Sequence, residues 1–381
     1  MPARGRPFIV LVLAVLPAVQ ATAAAQGEPA RAKAVYARAV ELEANGNHAA
    51  ALPLLWEAAE LAPGEADVQH HLGLALERAG LIEAAIEAYR RAIARRPTFP
   101  KATSNLVLAL VKTGQAREAV GLARTSLAAA PNDPDRHFIL GLAQSEQDLA
   151  AAIESFRRAL ALRPAHGLAR YNLALALKRA DRLPEAIVAL ERLLETESRP
   201  EAYYTLGVIY WQQGDLERAA RTLGAAVAAE PEYADAHYSL GAVLMAQRKW
   251  VAAATSLRRA ITLRPEEPGA YYTLAQVLRQ AGDDAAARTN LTESERLRQR
   301  ARLQHEASVL TYIGVRQLES GDAMGALEHL RRATQVSADH ALAHYHMGRA
   351  LERLGLLEES RAALARARRL NPDLQHLPDS R

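Results

Sequence analysis

The strongest constraint on this chain is that it repeats itself. The stretch from Ala66 to Pro97, ADVQHHLGLALERAGLIEAAIEAYRRAIARRP, returns in related form from starts near Ala32, Pro100, Pro134, Gly167, Pro200, Ala234, Pro268, Ala307 and Ala341. A period of that length belongs to stacked supersecondary units: no unit buries its apolar face alone, and each neighbour completes the next. Within the stretch, Leu72, Leu76, Leu81, Ile86 and Ile93 recur at steps that fit amphipathic helices. Gly80 interrupts the pattern midway, and Pro97 ends it because proline cannot continue a helix. The unit therefore reads as two helices joined by a tight turn. Gly73, Ala85 and Ala92 are small where the helices must touch, and a larger side chain there would push them apart.

The spacing Leu72-Gly73-x2-Leu76, followed by Ala85-x3-Tyr89 and Pro97, closely resembles the tetratricopeptide repeat (TPR), whose period is 34 residues. Gln69 stands where that family's opening aromatic is expected. The resemblance implies an all-α fold, a right-handed α-solenoid (superhelix) of about ten TPR-like helix-turn-helix repeats. It also implies that partners bind along a concave groove lined by the first helices.

Taken in order, the first unit keeps Leu42, Gly46, Ala51, Ala58 and Pro63, and Pro53 inside its second helix is expected to kink it. The fourth unit is one residue short, with the loss assigned to the turn around Gln147-Asp148. The fifth has Asp181 at its turn and Pro184 just inside its second helix, where proline is favoured. After the eighth, Leu291 to Ser308 runs on without Gly or Pro, and about five residues near Arg302 to Glu306 do not fit the period. This stretch reads as an over-long second helix and an irregular joint. The organisation expected is a leader over 1–25, repeats one to eight with an extended last helix over 26–306, repeats nine and ten over 307–372, and a tail over 373–381. Gln26 to Arg31 are expected to lie outside the repeats.

The leader has its own logic. Arg4 and Arg6 precede an uncharged apolar run from Phe8 to Val19, and small residues end at Ala23-Ala24-Ala25. That is the layout of a secretory signal peptide, and its run of about twelve residues is short against the roughly 20 a membrane-spanning helix needs. An uncleaved anchor is the alternative. The Ala- and Arg-rich leader is of bacterial type, so the expected location is exported, in the periplasm or secreted. The chain has no cysteine, so disulfides and thiolate metal sites are excluded. Its 47 basic and 43 acidic residues are interspersed, leaving a net charge of +4 and no polyanion-binding surface, so no nucleic-acid partner is expected.

Aligning the units exposes one column. The fifth residue of each is Tyr36, His70, Ser104, Phe138, Tyr171, Tyr204, Tyr238, Tyr272, Thr311 and Tyr345. In the family that position faces the groove. Tyrosine offers broad contact area and a hydroxyl at low entropic cost, so Tyr36, Phe138, Tyr171, Tyr204, Tyr238, Tyr272 and Tyr345 are candidate partner-binding residues. The competing reading is that they fill space between successive first helices. Asn105 and Asn172, each one residue further on, could bond an extended backbone, as asparagine does there in the family. Lys112, Lys178, Arg179 and Arg279 end first helices, where they either attract carboxylates or simply complement the helix dipole.

Catalytic chemistry has no carrier in the sequence. His344 and His346 sit two apart on one helix and so point to different faces, which argues against a metal. His305-Glu306 lacks a second zincin histidine, and neither a phosphate loop nor a nucleophile elbow occurs. Trp56, Trp211 and Trp250 read as packing residues. The sequence thus points to a non-catalytic scaffold of the cell envelope, without cofactor or metal, that binds a peptide or partner protein. Membrane contact is expected only through export or an uncleaved leader. Two alternatives stay open: an accessory subunit of an envelope polysaccharide or glycosyl-transfer complex, and a self-associating structural protein.

Overall fold

The computed structural model describes residues 28–372 and residue 374; the expected leader and most of the expected tail lie outside these. The described residues are all-α, without a strand, and form nineteen helices. Units one to three comprise α1 (Glu28–Ala44) with α2 (His48–Leu61), α3 (Ala66–Arg78) with α4 (Ile82–Arg95), and α5 (Pro100–Lys112) with α6 (Ala116–Ala129). Units four to six comprise α7 (Pro134–Gln144) with α8 (Leu149–Leu162), α9 (Gly167–Arg179) with α10 (Leu183–Leu194), and α11 (Pro200–Gln212) with α12 (Leu216–Ala229). There follow α13 (Ala234–Ala246) with α14 (Trp250–Leu263), α15 (Pro268–Gln280), α16 (Asp284–Glu319), α17 (Ala323–Val336), and α18 (Ala341–Arg353) with α19 (Leu357–Leu370). They divide into two compact units, one ending at Ala229 and one beginning at Glu230.

The hairpin turn is built the same way almost everywhere. Gly80 has φ of +77°, its N–H donates to the Glu77 carbonyl at 3.0 Å, and the Leu81 N–H donates back to Leu76 at 2.9 Å. This satisfies two orphan carbonyls of α3 and reverses the chain in a left-handed residue that glycine adopts without strain. Two units close the same turn without glycine: Asp181 (φ +56°) and Arg248 (φ +59°) occupy it, with Arg182 donating to Leu177 and Lys249 to Leu244, both at 2.9 Å. In the short fourth unit, α7 ends at Gln144, and Ser145 to Asp148 make a different turn without a left-handed residue.

Helix contact within a hairpin follows a small-against-large rule. A Cβ placed on Gly73 would fall 2.4 Å from the Tyr89 ring, and on Gly141 2.5 Å from Phe156. One on Gly207 would fall 2.7 Å from Leu223, and on Gly241, Gly314 or Gly348 2.6 Å from Leu257, Leu330 or Leu364. The third unit inverts the pair at the same register: Val107 stands on the first helix and Ala123 on the second, both buried. Volume is conserved while the bulk changes sides.

Three expectations need correcting: the start of unit one, the joint after unit eight and Trp56. Glu28 to Arg31 are helical and belong to the first helix of unit one, because nothing in that segment stops a helix. Pro53 lies inside α2, which runs from His48 to Leu61 without the bond an N–H at that position would have made. The over-long second helix of unit eight runs further than expected: it and the first helix of unit nine are one 36-residue helix, and residue 306 lies inside it. Trp56 is 37% exposed rather than packed, whereas Trp250 packs on the Ala253, Leu257 and Leu274 cluster.

Candidate partner-binding face

In the unit ending at Ala229, Tyr36, Phe138, Tyr171 and Tyr204 are half-buried and His70 is buried. The Tyr36 hydroxyl is hydrogen-bonded to Nδ1 of His71, and the two rings stack with centroids 5.6 Å apart. Asn105 Nδ2 lies 3.0 Å from Nε2 of His70. The Tyr171 hydroxyl lies 3.4 Å from Thr205 Oγ1, and the Arg199 guanidinium sits 5.8 Å over the Tyr171 ring. Phe138 packs against Phe156 and His166, with centroids 6.0 and 4.9 Å away.

In the unit from Glu230, Tyr238 is half-buried and its hydroxyl lies 3.5 Å from Thr273 Oγ1. Thr273 spends its own proton on the Gly269 carbonyl at 2.9 Å, so Tyr238 is the donor in that pair. Tyr272 is 38% exposed, with the Arg298 guanidinium 4.9 Å over its ring. Tyr345 is buried at 6% against Ala367 and Leu374, which removes it from any partner-binding set.

One rule covers these bonds: the column residue of a unit bonds to the residue after the column in the next unit. It holds for Tyr36 with His71, His70 with Asn105, Tyr171 with Thr205 and Tyr238 with Thr273. The hydroxyls expected to serve a ligand therefore first tie successive repeats together, while part of each half-buried ring stays open to solvent. Asn105 and Asn172 are likewise engaged through Nδ2, the latter donating to the Leu168 carbonyl at 2.9 Å, so each offers a partner its side-chain oxygen.

The cations at first-helix ends also work between repeats. Lys112 pairs with Glu77, and Arg179 with Glu146 at 2.8 Å, in each case a carboxylate of the preceding unit. Arg300, in the middle of α16, bridges in both directions at longer reach, contacting Glu266 at 3.3 Å and Asp339 at 3.6 Å.

Burial pushes the His70 imidazole down to about 4, with help from neighbouring His71. Burial also lowers His71 and His346. His340 instead caps α18, accepting from the Ala343 N–H at 3.2 Å, and His344 Nε2 lies 3.1 Å from the Ala338 carbonyl. Among the described residues there is no group of three or more His, Cys, Asp or Glu placed to hold a metal ion. No helix among them is long and apolar enough to cross a membrane.

Sequence profiles described as tetratricopeptide repeat match residues 36–100, 204–268, 243–297 and 313–374 in one case, and 76–138 and 143–209 in another. The chain belongs to the tetratricopeptide-repeat family. Repeats of this TPR type serve as scaffolds for protein–protein interaction. Residues 298–312, the middle of α16, lie outside every match. Solved structures are also similar to this chain. A tetratricopeptide repeat protein from Parabacteroides merdae is 17% identical over 65% of this chain and 98% of its own, with a TM-score of 0.52. A thermophilic TPR protein of Thermus thermophilus is 21% identical over 47% of this chain and 99% of its own, with a TM-score of 0.42. PilF of Pseudomonas aeruginosa is 19% identical over 51% of this chain and 90% of its own, with a TM-score of 0.47. No curated protein sequence matches this chain.

Proposed function

We propose that this TPR protein is an exported, non-catalytic scaffold of the cell envelope that holds a peptide or partner protein against the aromatic column of its first helices. The observation that carries the reading is the set of tyrosine rings fixed at one edge and open at another. Their hydroxyls are anchored to the next repeat at Tyr36, Tyr171 and Tyr238, yet these rings are only half-buried, and Tyr272 is exposed. A ring already held in place loses little entropy when a ligand covers its free face. Side-chain oxygens of Asn105 and Asn172 beside the column suit backbone N–H groups of an extended segment. Export is supported by Arg4, Arg6, the run from Phe8 to Val19 and the Ala23-Ala24-Ala25 ending.

The test is affinity capture from an envelope extract with the full-length chain, beside a variant carrying Tyr204→Ala and Tyr272→Ala whose helix content is checked by circular dichroism. A partner retained by the parent and lost by the folded variant supports the reading. Equal capture by both refutes it and leaves the column as packing between repeats.

A further inference from the structure

The helix α16 carries a surface that no repeat pattern accounts for. Its buried side is formed by Leu297, Ala307, Leu310, Gly314 and Leu318. On the opposite side Arg298, Arg302, Val309, Tyr312, Ile313 and Arg316 recur at steps of three, four or seven, a band roughly 100° wide on an α-helix. All six are exposed, and the three apolar residues are conspicuous: Tyr312 is 65%, Val309 45% and Ile313 36% exposed. In the units obeying the hydrogen-bond rule above, the residue after the column turns back to the preceding repeat. Here that residue is Tyr312, and it points to solvent. Helix α16 continues without a break from the second helix of unit eight, so no hairpin turn folds the first-helix segment of unit nine back beside α15.

Charge defines what this band can receive. Arg298 and Arg302 stand at its N-terminal end and Arg316, paired with Glu319 at 2.9 Å, at its C-terminal end. The one carboxylate between residues 298 and 316, Glu306, falls outside the band. An apolar centre with arginines at both ends complements a segment with the reverse arrangement. The helical ridge, at about 1.5 Å per residue some 27 Å long from Arg298 to Arg316, suits a second helix better than an extended strand.

We propose that this face of α16 docks an acidic amphipathic helix of a partner protein. Apolar side chains of that helix cover Val309, Tyr312 and Ile313, and its terminal carboxylates meet Arg298, Arg302 and Arg316. The surface meets the tyrosine column only where Arg298 lies over the Tyr272 ring, and its apolar centre at Val309, Tyr312 and Ile313 stands whether or not the column binds anything.

The experiment selects from a displayed library of 18-residue helical peptides, with apolar residues fixed at i, i+3, i+4 and i+7 and variable ends, on the full-length chain. Enriched peptides are then synthesised and measured by fluorescence anisotropy. The expected result is enrichment of Glu and Asp at both ends, binding that weakens with salt, and a loss of at least about tenfold on Tyr312→Glu or Arg302→Glu. Tyr204→Ala should leave this binding unchanged, which separates the outcome from the fate of the column. The proposal is overturned if no peptide is enriched, if basic or uncharged ends are favoured, or if Tyr312→Glu binds equally well. It is also overturned if sedimentation shows a concentration-dependent dimer that Tyr312→Glu abolishes and peptides do not displace, since the band would then pair with a second copy.

Discussion

Acid should loosen the first three repeats through one imidazole. His70 is 5% exposed, 4.9 Å from the Phe99 ring and 6.0 Å from Tyr89, and bonded to Asn105 of the next unit. Around it, Asp67 favours the charged form, while His71, Lys101 and Arg96 oppose it together with burial. The unfolded chain takes up this proton near pH 6.5, whereas folded His70 holds off until about 4. Stability from this group is therefore complete above pH 6.5 and drains away as pH falls towards 4. At 1.36 kcal/mol per unit, about 2 kcal/mol is gone by pH 5 and about 3 kcal/mol by pH 4. His71, also lowered by burial, adds to the loss in the same window. Because a repeat array opens locally, the assay should be local. Ring-proton NMR should place the His70 titration near 4, and hydrogen exchange should show α3 to α5 losing protection between pH 7 and 5, after correction for intrinsic rates. In His70→Phe, which keeps the bulk and cannot be protonated, that loss should shrink. A His70 midpoint between 6 and 7, or an equal loss of protection in His70→Phe, would refute the reasoning.

Other expectations follow from the packing. Gly207→Ala sets a methyl group 2.7 Å from Leu223 and should cost about 1–3 kcal/mol in thermal or urea unfolding, with partial recovery on adding Leu223→Ala. Arg248→Gly relieves a left-handed arginine and should stabilise the seventh unit by about 1 kcal/mol, read as slower exchange in α13 and α14. Tyr238→Phe removes the long bond to Thr273 and should cost no more than about 1 kcal/mol, with helix content unchanged.

Much of this architecture was legible because each repeat states it again. The glycine at the turn, the small residue facing a large one sixteen positions on, and the prolines after second helices all follow from local sterics. Arg248 was not legible, since nothing about arginine announces a left-handed backbone; only its alignment with Gly214 and Gly282 would have shown it. The bonds of Tyr36 to His71 and Tyr171 to Thr205 were hidden for another reason. They join residues 34 or 35 apart, and only stacking decides which of several polar neighbours each hydroxyl meets. Tyr345 was misread because its cover, Leu374, comes from beyond the last helix. In Leu291 to Ser308 the lack of Gly and Pro announced a long helix, but not that it would continue into the ninth unit.

The unbroken run of α16 also sets polarity. In a hairpin the two helices are antiparallel, so α16 runs against α15. Because α16 then serves as the first helix of unit nine without turning back, that first helix points opposite to its counterpart in unit eight. Side chains and helix dipoles of the two segments consequently present themselves in reversed order.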